Sequence, residues 1–116
     1  MSDRELLELA AKAAGIEIGW IDPVWNNPEA APYIHLPRGE LWNPLTDDGD
    51  ALRLAVKLRI SLMLAETPPG NPEVIYCLTH HTGFEWRTAK ALHGDPYAAA
   101  RRAIVRTAAE IGRSMT

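Results

Sequence analysis

Two short turns that combine tryptophan with asparagine contain the first residues whose chemistry suggests a ligand. Trp25-Asn26-Asn27-Pro28 and Trp42-Asn43-Pro44 share the order of aromatic ring, amide and proline. A stacked ring contributes about 1–3 kcal/mol per nucleobase, and an Asn amide can pair with a base edge. The turns therefore predict contacts to an adenine-like ring. The alternative is that these Trp residues cover the ends of a sheet while the Asn residues fix the turns.

Cationic and imidazole side chains add groups that could hold a phosphate. A guanidinium pairs with phosphate through two hydrogen bonds, and an imidazole can donate one. Such phosphate clamps could come from Arg38, Arg53, Arg87, Arg101, Arg102 and Arg106. For Arg102 and Arg106 we expect instead a solvated helix face paired with carboxylates. The predicted ligand site comprises Trp25, Asn26, Tyr33, His35, Arg38, Trp42, Asn43, His80, His81, Trp86 and Arg87.

Motifs for covalent or metal chemistry are missing from the sequence. None of the serines stands in a G-x-S-x-G elbow, and Cys77 lies in an apolar strand, where a thiol is usually inert. Cys77, His80 and His81 have no metal-site spacing. Helix capping explains the acidic run 47–50 better than a cation does. We therefore expect no catalytic residue, no metal and no cofactor; an enzyme would use His80 or His81 with Asp95.

Composition limits the classes of partner. The 116 residues are 47% hydrophobic and 23% charged, which suits one soluble domain over 1–116. No apolar run reaches the roughly 20 residues of a membrane span. A formal net charge of −3 gives no basic footprint for duplex nucleic acid. Cys77 is the one cysteine, so we expect a reducing compartment and no internal disulfide.

Helix signals mark three segments. The S-x-x-E spacing of Ser2 and Glu5 predicts a helix over 3–14, with Gly15 as its left-handed cap. A second, longest helix is predicted from Thr46 or Asp47 to Glu66. Asp95 and Pro96 predict the start of the last helix. The predicted apolar face of the second helix is wide: Leu52, Ala55, Val56, Leu62 and Met63, extended by Leu54, Leu58 and Ala65. The predicted apolar side of the last helix is Tyr97, Ala100, Ile104, Ala108 and Ile111.

Strand signals lie between these helices. Residues 21–32 carry closely spaced prolines and predict a loop, and Tyr33–Leu36 predicts a short strand that Glu40–Trp42 could pair with. Val74–Thr79 and Phe84–Arg87 flank Thr82-Gly83 and predict a hairpin. The order of helix, strands, helix, hairpin and helix predicts an α+β layered domain with a small, mainly antiparallel sheet.

Three segments resemble a family of small bacteriophage proteins, the phage ABA sandwich domain. They are residues 5–15, the run 42–58 from Trp42-Asn43-Pro44 through the acidic helix start, and the Ala-rich helix with arginines at 95–111. The resemblance spans nearly the whole chain. It implies a three-layer helix–sheet–helix sandwich and a phage gene acting in the cytoplasm of the infected bacterial host, and it supplies no catalytic residues.

Three hypotheses follow for the function. The first is a homo-oligomeric binder that sequesters a nucleotide-derived immune signal of the host, such as a cyclic nucleotide or a cyclic ADP-ribose-like compound, without catalysis. The second is an inhibitor that attaches to a host defence protein, because Trp, Tyr and Arg are also enriched at interface hot spots. The third is an enzyme that degrades a nucleotide signal.

Overall fold

The computed structural model describes residues 2–21, 33–35, 41–64, 74–79, 85–90 and 95–115. Within them the chain forms helices α1, α2 and α3 and strands β1 to β5. The helices span Asp3–Ala14, Asp48–Leu58 and Pro96–Arg113, and the strands span Gly19–Ile21, Tyr33–His35, Ser61–Leu64, Val74–Thr79 and Glu85–Lys90. No helix in the described part of the chain is both long and apolar enough to cross a bilayer.

The strands form two antiparallel sheets. β1 pairs with β2, and the second sheet has the order β3-β4-β5. The predicted α+β class is confirmed, and so is the hairpin, which β4 and β5 form with Thr79 opposite Glu85. The predicted strand at Tyr33 is also present and pairs with β1, while the partner strand predicted over 40–42 begins outside the described residues. The loop predicted over 21–32 lies outside the described residues from 22 onward.

The capping signals at both ends of α1 and at the start of α3 are confirmed. The Ser2 hydroxyl accepts a hydrogen bond from the Glu5 backbone N–H at 3.2 Å. Gly15 has φ 68, the left-handed conformation that glycine adopts without a Cβ penalty. Asp95 caps α3 through a 3.0 Å bond from the Ala98 N–H, and Pro96 is the first helical residue. These signals are local, so sequence spacing is sufficient to identify them.

The second helix is shorter than predicted, and this corrects the sequence interpretation. α2 ends at Leu58 because Arg59 adopts a left-handed conformation, φ 54, and its N–H bonds the carbonyls of the last turn. Residues 61–64 form β3 instead of continuing the helix. Leu62 therefore stands opposite Cys77 in the sheet, and pairing with β4 overrides the helical spacing of the sequence.

The predicted apolar faces of α2 and α3 are confirmed in part. In α2, Leu54, Ala55 and Leu58 are buried as predicted, together with Asp50 and Ala51, whereas Leu52 and Val56 are 64% and 69% exposed. Tyr97 is 71% exposed, so its predicted core position is wrong, while Ile104, Ala108 and Ile111 are buried as expected. Each helix has two candidate apolar sides in its sequence, and tertiary packing selects one.

α3 is the element that holds the others together. It contacts α1, α2, β4 and β5. Most of its buried residues are small, and Gly112 lies against the backbone of α1 so closely that a Cβ there would overlap the Leu9 carbonyl oxygen. The two helix backbones can approach to this distance because Gly112 has no side chain.

Gly112→Ala tests this close contact. In an ordinary helix position the exchange stabilises by about 0.5–1 kcal/mol. Here the added methyl must displace the α1 backbone, so we expect a loss of about 1–3 kcal/mol in the free energy of unfolding. Urea unfolding followed by circular dichroism measures the difference. Gly49→Ala in α2 is the control, because the added methyl meets only the ends of the Arg53 and Asp47 side chains. A more stable Gly112→Ala protein would contradict the close contact.

Candidate functional site

The Trp42-Asn43 turn leads into α2 and is fixed by its own hydrogen bonds. The Asn43 side-chain oxygen accepts from the Leu45 N–H at 3.0 Å, and the Asn43 carbonyl accepts from the Asp47 N–H at 2.9 Å. Trp42 is 5% exposed, so its ring is largely part of the core. Asn43 thus fixes the turn and Trp42 packs in the core, as the alternative interpretation of these residues predicted. Both residues nonetheless line a cleft beside this turn.

Asp50 joins this turn to α2. Its residue surface is 9% exposed, and both carboxylate oxygens are bonded. One accepts from the Asn43 N–H at 2.9 Å and the other from the Arg53 guanidinium at 2.8 Å. A buried carboxylate is tolerated when its oxygens are paired in this way. Asp50 therefore determines where the Trp42 turn lies on the helix.

The acidic run caps the helix, as the sequence predicts. The Asp47 carboxylate accepts from the Asp50 N–H at 2.8 Å, which is an N-cap bond. Asp47 also lies 3.9 Å from the Arg53 guanidinium. Asp47, Asp50 and Arg53 follow one another at three-residue spacing, so they share one side of the helix start.

Arg101 anchors the turn to α3. Its Nε donates to the Leu45 carbonyl at 2.8 Å, and one terminal nitrogen donates to the Asp48 carboxylate at 2.6 Å. Arg102 donates to the Asp3 carboxylate of α1 at 2.9 Å. The predicted pairing of Arg102 with an acidic residue is therefore confirmed. Arg101 supports the site from outside, because one of its partners lies in the turn before α2 and the other is the first residue of α2.

Two adjoining clefts open beside the turn. They share Leu41, Trp42, Asp50 and Arg53, and have volumes of about 520 Å3 and 400 Å3. The first is also lined by Asn43, Thr46 and Asp47, and the second by Ile16, Leu54 and Lys57. Two carboxylates and two cationic groups thus face the joint space. Such a lining can accept hydrogen bonds from amino groups and pair with an anionic group of the same ligand.

The sequence singles out three of the cleft residues by type: Trp42, Asn43 and, as a possible phosphate clamp, Arg53. It indicates Asp47 and Asp50 as helix caps rather than as cleft residues, and it gives no signal for Lys57. The signal for Asp47, Asp50 and Arg53 was present as acidic, acidic and basic residues at positions i, i+3 and i+6.

The other predicted site residues divide into two groups. Tyr33 and His35 lie on β2, opposite Ile21 and Gly19, while Trp86 and Arg87 lie on β5, opposite Leu78 and Cys77. For these four residues the structure describes the backbone and the strand register. Outside the described residues lie Trp25, Asn26, Arg38, His80 and His81. Their part in a ligand site remains a prediction.

Trp20 has a structural partner. It lies on β1, and the Arg4 guanidinium stands over its ring at 4.4 Å from the centroid. Cation–π contacts at partly exposed sites contribute about 0.5–1 kcal/mol. One face of this ring is thus occupied by the protein itself, which sets Trp20 apart from the cleft-lining Trp42.

Cys77 is a packing residue rather than a nucleophile. It is fully buried in β4. Burial raises the pKa of the Cys77 thiol, and the hydrogen bond with the buried Thr107 side chain offsets part of that rise. Since the thiolate is the reactive form, this environment disfavours nucleophilic chemistry. The predicted position of Cys77 inside a strand is confirmed.

Comparisons with known families, proteins and structures give no match to this chain. The resemblance to phage ABA sandwich proteins therefore stays a prediction. Among the described residues, no group of three or more His, Cys, Asp or Glu side chains could hold a metal ion.

Replacing Asp50 tests its control of the turn. Asp50→Ala leaves the Asn43 N–H without its acceptor, and an unsatisfied polar group costs about 1–3 kcal/mol. Asp50→Asn keeps an oxygen at this place, so we expect a smaller loss. Glu8→Ala in α1 is the control, because its ion pair with Arg4 is half exposed and the expected change is below about 1 kcal/mol. Chemical unfolding gives all three values; equal effects for Asp50→Ala and Glu8→Ala would contradict the role of Asp50.

The thiol of Cys77 gives a pH-dependent prediction. A raised pKa means that the folded state holds the proton more tightly than the unfolded chain does. The resulting stabilisation is present below the ordinary thiol pKa and is lost as the pH rises above it. Between about pH 7 and pH 10 we expect the urea midpoint to fall further for the natural protein than for Cys77→Ala. We also expect alkylation by iodoacetamide only after unfolding. Rapid alkylation of the folded protein would overturn the assignment.

Proposed function

We propose that the protein binds and sequesters a small nucleotide-derived ligand in the cleft beside the Trp42 turn, without catalysis. The observation that carries the proposal is the convergence of an aromatic residue, an amide-bearing turn and two ion-paired carboxylates around one space. A volume of about 520 Å3 lies within the usual range of small-molecule sites, about 300–1,000 Å3.

Each lining group has a part in this proposal. The carboxylates of Asp47 and Asp50 accept hydrogen bonds from the amino groups of a base. Arg53 and Lys57 neutralise a phosphate. Because Trp42 is 5% exposed, its ring contributes a wall of the cleft rather than a full stacking face. Most of the specificity would therefore come from the polar groups.

We further propose the biological source, the target signal and the assembly of the protein. The chain would be a bacteriophage accessory protein that acts in the cytoplasm of the infected host, and sequestration would lower the free concentration of a cyclic nucleotide or cyclic ADP-ribose-like signal. The fold would be the helix–sheet–helix sandwich, with the protein as a homo-oligomer. The packing of α3 on β4 and β5 supports one helix layer of this sandwich.

A protein-binding inhibitor is the second candidate, favoured by one specific observation. Leu52 and Val56, four residues apart on α2, are 64% and 69% exposed, and Leu41, at the rim of the clefts, is 67% exposed. Apolar side chains in such an arrangement are typical of protein contacts. This candidate predicts capture of one host protein at fixed stoichiometry and no response to nucleotides. A degrading enzyme would instead convert the ligand to product.

A thermal-shift screen tests the first candidate. The panel holds cyclic ADP-ribose isomers, cyclic dinucleotides, cyclic trinucleotides and linear nucleotides. A ligand at one hundred times its Kd adds about 2.7 kcal/mol, which for a domain of this size raises the Tm on the order of 10 °C. We expect such a rise with one ligand class, and recovery of that ligand intact after heating.

Two variants test whether the rise in Tm comes from binding in the cleft. Arg53→Ala removes a cation that would neutralise the phosphate and leaves the two carboxylates in the cleft, so we expect at least a tenfold weaker Kd. The change also removes the partner of one oxygen of the buried Asp50 carboxylate and costs about 1–3 kcal/mol in the free energy of unfolding, so the Kd is measured well below the Tm of the variant. Arg106→Ala on the exposed side of α3 is the control and should bind as the natural protein does. A flat panel would refute the nucleotide proposal, and a shift that Arg53→Ala retains in full would refute the cleft.

A further inference from the structure

Among the strands that the structure describes, β3 forms one edge of its sheet. Among the described strands it has one neighbour, β4, and its residues Ser61-Leu62-Met63-Leu64 include no charge and no proline. Leu62 is 40% exposed and Met63 is 43% exposed. A strand edge presents N–H and C=O groups that pair readily with another strand, and natural proteins usually protect it with charges, prolines or bulges. None of these residue types occurs within β3.

The opposite edge of the same sheet differs in composition. β5 contains Glu85, Arg87 and Lys90 among its six residues. Charges on an edge strand oppose pairing with a further strand, because they would have to be desolvated in the new interface. The two edges are thus unequal, and association by strand addition is favoured at β3.

We propose that a second copy of this chain pairs with β3 in antiparallel orientation and joins the two three-stranded sheets into one of six strands. A two-fold axis makes such an edge self-complementary, since each copy offers the same strand to the other. Strands without charge can approach each other with no repulsion between identical residues. The β3 edge would thus be the contact of the homo-oligomer that the proposed function includes, and this pairing requires no ligand.

The register follows from the faces of the sheet. Residues directly opposite each other in an antiparallel pair share a face. Leu62 stands opposite Cys77, which is fully buried, so Leu62 lies on the core face at the rim of the sheet. A two-fold axis at Leu62 places it opposite the partner's Leu62. The two side chains would then extend both cores across the junction and bury surface that is exposed in a single copy.

Light scattering after size exclusion, from about 1 µM to about 1 mM protein, tests the association without ligand. We expect a concentration-dependent dimer. Leu62→Lys places a charge on the edge and should give a monomer with an unchanged circular dichroism spectrum. Leu52→Lys, at an exposed apolar residue of α2, should still form the dimer. A natural protein that stays monomeric overturns the proposal, and so does a Leu62→Lys protein that still dimerises.

Disulfide trapping gives a second, geometric readout. Opposed residues in an antiparallel pair have Cα atoms about 4.5–5.5 Å apart, within the range for a disulfide. Leu62→Cys should therefore form a covalent dimer on mild oxidation, while Leu52→Cys should not. The buried Cys77 does not compete for oxidation. Equal crosslinking of both variants would show that α2, or random collision, accounts for the association and would overturn the β3 pairing.

Discussion

The close contact between α1 and α3 is the constraint on which the rest of the structure depends. Gly112 allows the α3 backbone to touch the Leu9 carbonyl, and the small buried residues of both helices keep them together. α3 also contacts α2, β4 and β5, so its position orients every layer that surrounds it. A larger side chain at this contact would move α3 relative to all of them.

The candidate site is held by one polar residue of α3, Arg101, and by one polar residue of α2, Asp50. Arg101 holds the Leu45 carbonyl, and Asp50 holds the Asn43 N–H, so the turn between them is fixed at both ends. The same Asp50 carboxylate lines both clefts together with its partner Arg53. Groups that stabilise the fold and groups offered to a ligand are therefore partly the same. A ligand that bonds Arg53 would have to compete with Asp50 or share it.

How far the sequence predicts this structure depends on whether a signal is local. The caps at Ser2 and Asp95 involve contacts within a few residues and are read correctly from spacing. The end of α2 depends on the left-handed Arg59 and on pairing of β3 with β4, which lies many residues away. In the candidate site, too, residue types can be predicted from the sequence and tertiary packing cannot. The sequence singles out Trp42 and Asn43 by type, but their burial and turn bonds follow from tertiary packing.

Nitrogen–proton correlation NMR of a ligand titration tests the central claim most directly. The indole N–H signals of Trp42 and Trp20 are assigned with Trp42→Phe and Trp20→Phe proteins. The account predicts that a nucleotide ligand shifts the Trp42 signal and the Arg53 side-chain signal in a saturable way, while the Trp20 signal, beside Arg4 on β1, stays in place. A saturating ligand that leaves Trp42 and Arg53 unchanged would contradict binding in this cleft.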